Sequence, residues 1–363
     1  MTSPTPRPGI LDITPYAGGE SKLFGADRVI KLSSNEGALG PSPKAMAAYR
    51  AQAAELHRYP DGSAADLRKT LAARFGLDAE RIVCGAGSDE LLQLLVHGYA
   101  GVGDEVLHSR YGFLIYPIDA KSNGATPVAA DEVNLTTSVD HLLAAVTERT
   151  RIVFVANPNN PTGTYLPADE MKRLREGLPD HVLLVIDAAY AEFVDRNDYS
   201  AGAELVEAGD NVVMTRTFSK IYAMGGLRLG WAYCPPAVAD VLNRIRGPFN
   251  VTSSALAAGQ AAVEDTDFVD LVFRHNKYWR DWFVRSLEEI GLESVPSVAN
   301  FVLVRFPKTS GQDAAAADAF LRGRGIIVRP MRSYGLPDCL RITIGRDDEM
   351  QAVMTALKEF RGA

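Results

Sequence analysis

The sequence predicts an α/β protein, with a large domain on a mostly parallel sheet, a smaller C-terminal α/β domain and an N-terminal arm. Three observations carry this. Short apolar, β-branched runs alternate with helical segments along most of the 363 residues, the pattern of parallel strands joined by crossover helices. Two of those runs, Arg151–Ala156 and Val182–Ile186, are almost continuously apolar, as strands covered on both faces are. Beyond Val251 the character changes to a long helical stretch and then to shorter strands and helices. The expected boundaries are an arm over 1–35, a large domain over 36–250 and a small domain over 251–363.

Each element has a local signal. The arm is punctuated by proline and glycine, with Ile10–Tyr16 followed by Gly18 and Gly19. A short strand over Val29–Leu32 ends in the turn formers Ser33, Ser34 and Asn35. Ser42-Pro43 caps a helix running to about Ala54, and a second helix spans Ala64–Phe75. The strand Ile82–Cys84 leads through Gly85-Ala-Gly-Ser-Asp-Glu90 into an apolar helix over Leu91–Tyr99. A strand, a glycine-rich turn and a helix N-terminus make an anion site, although the third glycine of a dinucleotide fingerprint is missing. Further strands begin at Val106 and Pro127, and a helix covers Asp169–Leu178. One helical stretch is expected over Ser253–Ile290, then strands at Phe301–Val304, Ile326–Arg329 and Leu340–Gly345, with helices over Ala314–Arg324 and Asp348–Phe360.

Composition narrows the function. Apolar residues make up 47% and charged residues 23%, a globular profile. The net charge of −7 argues against nucleic acid or an anionic membrane as main partner. No apolar run approaches the roughly 20 residues of a membrane span, and Met1–Gly9 lacks the apolar core of a signal peptide. Cys84, Cys234 and Cys339 are far apart, with neither CxxC spacing nor a nearby histidine. Reduced core thiols of a cytoplasmic protein are expected, and no metal site.

The chemistry gathers at the ends of three strands. Asn157 follows the first, in the loop Asn157-Pro-Asn-Asn-Pro-Thr-Gly163; Asp187 ends the second, with Tyr190 close behind; Lys220 follows the third, Val212–Thr217. Open α/β sheets collect ligand contacts at such carboxyl ends. A lysine walled by Phe218, Ile221, Tyr222 and Leu227 is either a strand-end residue reaching solvent or a desolvated amine poised as a Schiff-base nucleophile. One cofactor, pyridoxal 5′-phosphate, needs all of these groups together. Its aldehyde takes the lysine, and its pyridine nitrogen takes a carboxylate. Its ring hydroxyl takes donors such as Asn157 and Tyr190, and its phosphate takes backbone amides, hydroxyls and an arginine.

The motifs that carry this pattern are Lys31-Leu-Ser-Ser-Asn-Glu, Arg58-Tyr-Pro-Asp, Gly87-Ser-Asp-Glu, Asn157-Pro-Asn-Asn-Pro-Thr-Gly, Asp187-Ala-Ala-Tyr, Thr217-Phe-Ser-Lys-Ile-Tyr, Gly226-Leu-Arg-Leu-Gly-Trp and Leu340-Arg-Ile-Thr-Ile-Gly. From Pro15 to Phe360 the chain resembles the fold-type I aminotransferases, and among them the histidinol-phosphate aminotransferase family. That resemblance implies an aspartate-aminotransferase-like fold, with a seven-stranded sheet sandwiched by helices, and a homodimer. It implies Lys220 as the lysine that binds the cofactor and moves the proton, Asp187 on the pyridine nitrogen, and Asn157 and Tyr190 on the ring hydroxyl. Tyr111 would stack on the ring. Gly87, Ser88, Asp89, Ser219 and Arg228 would hold the phosphate, Gly87 through its backbone amide, with Tyr59 reaching it from the neighbouring subunit. Arg341 would clamp the substrate carboxylate bidentately, with Tyr16, Asn35 and Arg329 as further substrate contacts. Ile221 departs from the small residue that many aminotransferases carry after the lysine.

The activity implied is amino-group exchange between histidinol phosphate and 2-oxoglutarate. The rivals are a broad aromatic-amino-acid aminotransferase, suggested by Tyr16 and the stretch Tyr111–Tyr116, and a phosphothreonine-type decarboxylase on the same scaffold.

Overall fold

Residues 4–23 and 28–362 are described by the computed structural model, and they form two cores linked by one long helix. In chain order the elements are β1 (Ile30–Lys31), α1 (Pro43–Ala51), α2 (Ala65–Phe75), β2 (Ile82–Gly85), α3 (Ser88–Tyr99), β3 (Glu105–Ser109), α4 (Ile115–Ser122), β4 (Thr126–Ala130), α5 (Val139–Ala144), β5 (Thr150–Ala156), α6 (Ala168–Gly177), β6 (Leu183–Asp187), α7 (Ala203–Glu207), β7 (Val212–Thr217) and β8 (Gly230–Tyr233). They continue with α8 (Pro236–Ile245), α9 (Ser253–Glu264), α10 (Thr266–Glu289), β9 (Glu293–Ser294), β10 (Phe301–Arg305), α11 (Ala314–Arg322), β11 (Ile326–Ile327), β12 (Arg329–Pro330), β13 (Cys339–Thr343) and α12 (Asp347–Arg361).

The large sheet has seven strands in the order β2-β8-β7-β6-β5-β3-β4. Strands β7, β6, β5, β3 and β4 run parallel, while β8 lies antiparallel to both of its neighbours. Its central strands are buried and largely apolar because helices cover both faces. On one face Leu91, Leu92 and Leu95 of α3, Tyr116 of α4 and Leu242 of α8 pack on Phe154, Val185 and Val213. On the other, Leu67 and Leu71 of α2, Leu174 of α6 and Ala255 and Ala258 of α9 meet Val153, Leu184, Ile186 and Met214. The expected helix start at Ser42-Pro43 is realised, with Ser42 Oγ accepting from the Ala45 amide at 3.0 Å.

The two cores do not divide where the sequence changes character. The stretch expected as one helix from Ser253 breaks at Asp265, whose φ and ψ of −87° and 63° are not helical and whose carboxylate pairs with Lys44 Nζ at 2.9 Å. Helix α9, before the break, belongs to the large core. Helix α10 spans both, with Val272 in the large core and Trp279, Phe283 and Leu287 in the small one. Helix α10 is thus shared by the two cores. The arm also ends earlier than residue 35. Strand β1 pairs with β11, and Ile30 and Leu32 are buried in the small core beside Ile326 and Ile342. The rest of that core covers an antiparallel sheet, β12-β13-β10-β9.

Candidate active site

Strands β5, β6 and β7 are neighbours in the sheet, so the features at their carboxyl ends converge. Ala156 lies beside Asp187, and Asp187 beside Thr215. A cavity of about 340 Å³ opens there, and its walls include Tyr16, Asn35, Ser88, Asp89, Asp187, Tyr190, Ser219, Lys220, Arg228, Arg329 and Arg341. These residues come from the arm, from both cores and from the loops after three strands.

Lys220 enters the cavity from the turn that follows β7. That turn is held by the Ser219 amide donating to Thr217 Oγ1 at 3.2 Å, and by the Ala223 and Met224 amides donating to the Lys220 and Phe218 carbonyls at 2.9 Å. The amine lies 5.4 Å from the centre of the Tyr190 ring. Burial, and then the nearby Arg341 guanidinium, lower its pKa from 10.5 to about 8. About a tenth of the amine is then neutral at pH 7, far more than for an ordinary lysine, and the neutral form is the nucleophile.

Asp187 is buried, and burial raises its pKa to about 6 against the opposing hydrogen bond from Tyr116. One carboxylate oxygen, Oδ2, accepts from the Tyr116 hydroxyl at 2.8 Å. The other, Oδ1, is buried without a hydrogen-bond partner among the described residues. A bare buried carboxylate oxygen is costly, and it fits a ligand that brings a donor, such as a protonated ring nitrogen. Tyr190 lies next to it. Its hydroxyl accepts from Asn35 Nδ2 at 2.9 Å, which leaves its own hydrogen for the cavity. Asn35 in turn accepts from Thr343 Oγ1 at 3.2 Å and donates its backbone amide to the same oxygen at 2.9 Å. The amide expected to read substrate thus orients Tyr190 as well.

The anion cradle is the first turn of α3. The Gly87 amide donates to the Gly85 carbonyl at 2.8 Å and the Ala86 amide to Glu90 Oε2 at 2.6 Å. The Gly87 amide is thereby engaged within the turn, and of the expected phosphate contacts Ser88 and Asp89 stand in the first turn of α3, where helix amides point outward. Gly87 serves through its conformation, at φ 84°, where a Cβ would collide with the Arg228 guanidinium. Arg228 pairs with Asp89 at 3.0 Å and donates to the Gly225 carbonyl at 2.9 Å. At the other end of the cavity lie Arg341 and Arg329. Arg341 donates to Asn160 Oδ1 and to the Ser33 carbonyl at 3.0 Å, and its buried Nε has no partner among the described residues. Arg329 donates to the Ala17 and Gly18 carbonyls at 2.5 and 2.6 Å.

Two further residues expected at the site, Asn157 and Tyr111, lie off the cavity wall. Asn157 is fully buried and absent from the cavity wall, because its side-chain amide closes a pair of hydrogen bonds with the Leu166 backbone at 2.9 and 3.0 Å. The loop turns back on itself, with Gly163 N donating to Asn159 O and Asn159 N to Thr164 O at 2.8 Å, and it is Asn160 that reaches the cavity. Since Asn160 Oδ1 is occupied by Arg341, its Nδ2 is the group left as a donor. Tyr111 also lies off the wall. It packs beside Gly335 in the cluster of Tyr334 and Leu336, and Phe113 is the ring at the cavity. Tyr59 lies away from the cavity of its own chain, 82% exposed and stacked on Phe249 at 4.7 Å. Tyr116 carried no signal in the sequence beyond its place in an aromatic stretch. Asn160 was visible in its motif, where strand-end reasoning favoured the first asparagine.

A mostly parallel sheet with a buried lysine, a bare carboxylate oxygen and a helix N-terminus around one cavity is the arrangement of a fold-type I aminotransferase. The chain belongs to the family of class I and II aminotransferases, whose family model matches residues 27–357. It is similar to the histidinol-phosphate aminotransferase of Paramagnetospirillum magneticum, at 69% identity over 363 residues and 100% of both chains. It is 60% identical to that of Rhodospirillum centenum over 360 residues, 99% of each. Among solved structures, histidinol-phosphate aminotransferase from Sinorhizobium meliloti in complex with pyridoxal-5′-phosphate has a TM-score of 0.89, at 29% identity and covering 99% of both chains.

The depressed pKa of Lys220 can be tested on the apoprotein by trapping pyridoxal with cyanoborohydride and mapping the adduct by mass spectrometry. Only the neutral amine reacts, so labelling of Lys220 should rise with pH and reach its midpoint near 8. A midpoint at about 10.4, the value of an ordinary lysine, would contradict the site's electrostatics.

Proposed function

We propose that the protein is a pyridoxal-phosphate-dependent transaminase that exchanges an amino group between L-histidinol phosphate and 2-oxoglutarate, giving imidazole-acetol phosphate and L-glutamate. The observation that carries the substrate assignment is the pair Arg329 and Arg341. Both face the cavity, and neither has a carboxylate partner among the described residues; their bonds go to neutral carbonyl and amide oxygens. Two guanidiniums so placed suit a reaction whose alternating substrates carry a phosphate in one half and two carboxylates in the other. The named relatives support the same reading.

The cofactor, when bound, supplies an electron-accepting ring that stabilises the carbanion at the substrate carbon. The chain supplies the rest. Asp187 Oδ1 would hold the proton on the ring nitrogen, and Tyr190 and Asn160 Nδ2 would donate to the ring hydroxyl. The Ser88 and Asp89 amides, Ser219 and Arg228 would hold the phosphate. Lys220, with its pKa lowered to about 8, gives up and takes back a proton at neutral pH. Tyr16 and Phe113, edge to face at 6.1 Å, form an aromatic wall suited to an imidazole.

That wall suits a phenyl ring equally, so substrate preference is the test. With 2-oxoglutarate as acceptor, kcat/KM for L-histidinol phosphate should exceed that for L-phenylalanine by about a thousandfold or more, roughly 4 kcal/mol of transition-state binding. Comparable values would contradict the assignment and favour a broad aromatic transaminase.

We further infer a homodimer in which Tyr59 completes the neighbouring site. An apolar groove lined by Met46, Tyr49, Met224, Gly226 and Leu227 abuts the cavity, whose wall includes Gly225. A second copy would cover that groove. The three buried free thiols suit a reducing compartment such as the cytoplasm. Inactive Lys220→Ala and weakened Tyr59→Ala proteins, mixed and allowed to exchange subunits, should recover activity, because about a quarter of the sites become intact under random pairing. No recovery, from variants that do exchange, would place Tyr59 outside the partner's site.

A further inference from the structure

Side chains alternate along β6. Leu184 and Ile186 face the core that includes α2 and α9, while Leu183 and Val185 face α3 and α4. Asp187 continues the second set and so ends its strand under α4. Tyr116, the second residue of α4, waits on that face. It is fully buried, with its ring stacked parallel on Phe154 of the adjacent strand at 4.6 Å and 3°, and edge-on to Phe113 at 5.9 Å. Its hydroxyl meets Asp187 Oδ2 at 2.8 Å. The two carboxylate oxygens are thereby made unequal: one is fastened to the scaffold, and the other is buried and bare among the described residues, in a side chain that lines the cavity.

We propose that Tyr116 is a positioning residue, whose hydroxyl, held in place by stacking on Phe154, fixes Asp187 with Oδ1 toward the cavity and sustains its negative charge there. The inference rests on the proposed function, in which Asp187 partners the ring nitrogen of pyridoxal phosphate.

A phenol suits this task. Burial, with Asp187 beside it, pushes the Tyr116 pKa well above 10, so it remains a donor at every working pH. Phenylalanine would fill the same space and leave Oδ2 without its phenol donor. The other charged groups around Asp187 pull in opposite directions. Asp89, at the start of α3, raises its pKa, and Lys220, after β7, lowers it. Tyr190 and Tyr199 also face it, and burial raises the pKa of both phenols. Loss of the Tyr116 bond therefore moves Asp187 upward from about 6. The ionised carboxylate is the form that pairs with a protonated ring nitrogen. Its contribution to cofactor binding is full above its pKa and is lost as pH falls through it.

The test is equilibrium binding of pyridoxal 5′-phosphate to the apoenzyme across pH, followed by absorbance. Tyr116→Phe should weaken binding by about ten- to a hundredfold near neutrality, the range for losing a hydrogen bond to a charged group. It should also shift the acid limb to higher pH and lower kcat more than it changes KM for the oxo acid. An unshifted limb with unchanged affinity would overturn the proposal. In the Asp187→Asn background, Tyr116→Phe should produce no further shift, and a shift there would show that Tyr116 acts elsewhere. Should Tyr116→Phe fail to fold, 3-fluorotyrosine at position 116, a stronger donor of nearly equal size, should move the limb to lower pH; an unmoved limb overturns the proposal. Wild-type apoenzyme that binds no cofactor would instead overturn the parent reading.

Discussion

Charge taken out of water at the carboxyl end of a buried sheet is the constraint on which the rest of the structure depends. Helices cover both faces of β6 and β7, so Asp187 and Lys220 emerge where hydration is already lost. Burial raises one pKa to about 6 and lowers the other to about 8, bringing both close to neutrality. Such convergence is characteristic of a functional site, because groups near neutrality exchange protons at little cost. Its energetic penalty is visible as polar atoms left bare, among them Asp187 Oδ1 and Arg341 Nε. A scaffold tolerates such atoms when a ligand satisfies them.

The second core serves the same site. Asn35 adopts a left-handed φ of 55°, which its short side chain tolerates, and bonds to Tyr190 on one side and Thr343 on the other. The phenol of the large core is thereby tied to β13 of the small one. Arg341, on the same strand, and Arg329, on β12, bring two guanidiniums to the cavity from that small sheet. In the proposed function the two cores divide the labour, one carrying the groups for cofactor and proton and the other the groups for the substrate's charge. Movement of one core against the other along α10 would alter both at once.

The alternation of strands and helices was legible because buried parallel strands demand continuous apolar runs, and the order Asp187, Lys220, Arg228 was legible because each stands next to such a run. The missed features were those set by loops and by contacts distant in sequence. Asn157 is the residue directly after β5, but the loop folds back, ties Asn157 to Leu166 and sends Asn160 to the cavity. Tyr111 and Phe113 are two residues apart, and which ring faces inward depends on the turn between β3 and α4 rather than on a helical or strand period. Tyr116 acquires meaning only through Asp187, 71 positions later in the chain. The break at Asp265 was hidden because helical periodicity continues on both sides of it.

The central claim is that the bare oxygen of Asp187 holds a proton on the ring nitrogen of a bound cofactor. It is tested most directly by nitrogen-15 NMR of the protein loaded with ring-labelled pyridoxal 5′-phosphate. The account predicts a chemical shift of a protonated pyridine nitrogen throughout the neutral range, lost in Asp187→Ala. A neutral, unprotonated ring nitrogen in the wild-type protein at neutral pH would contradict it.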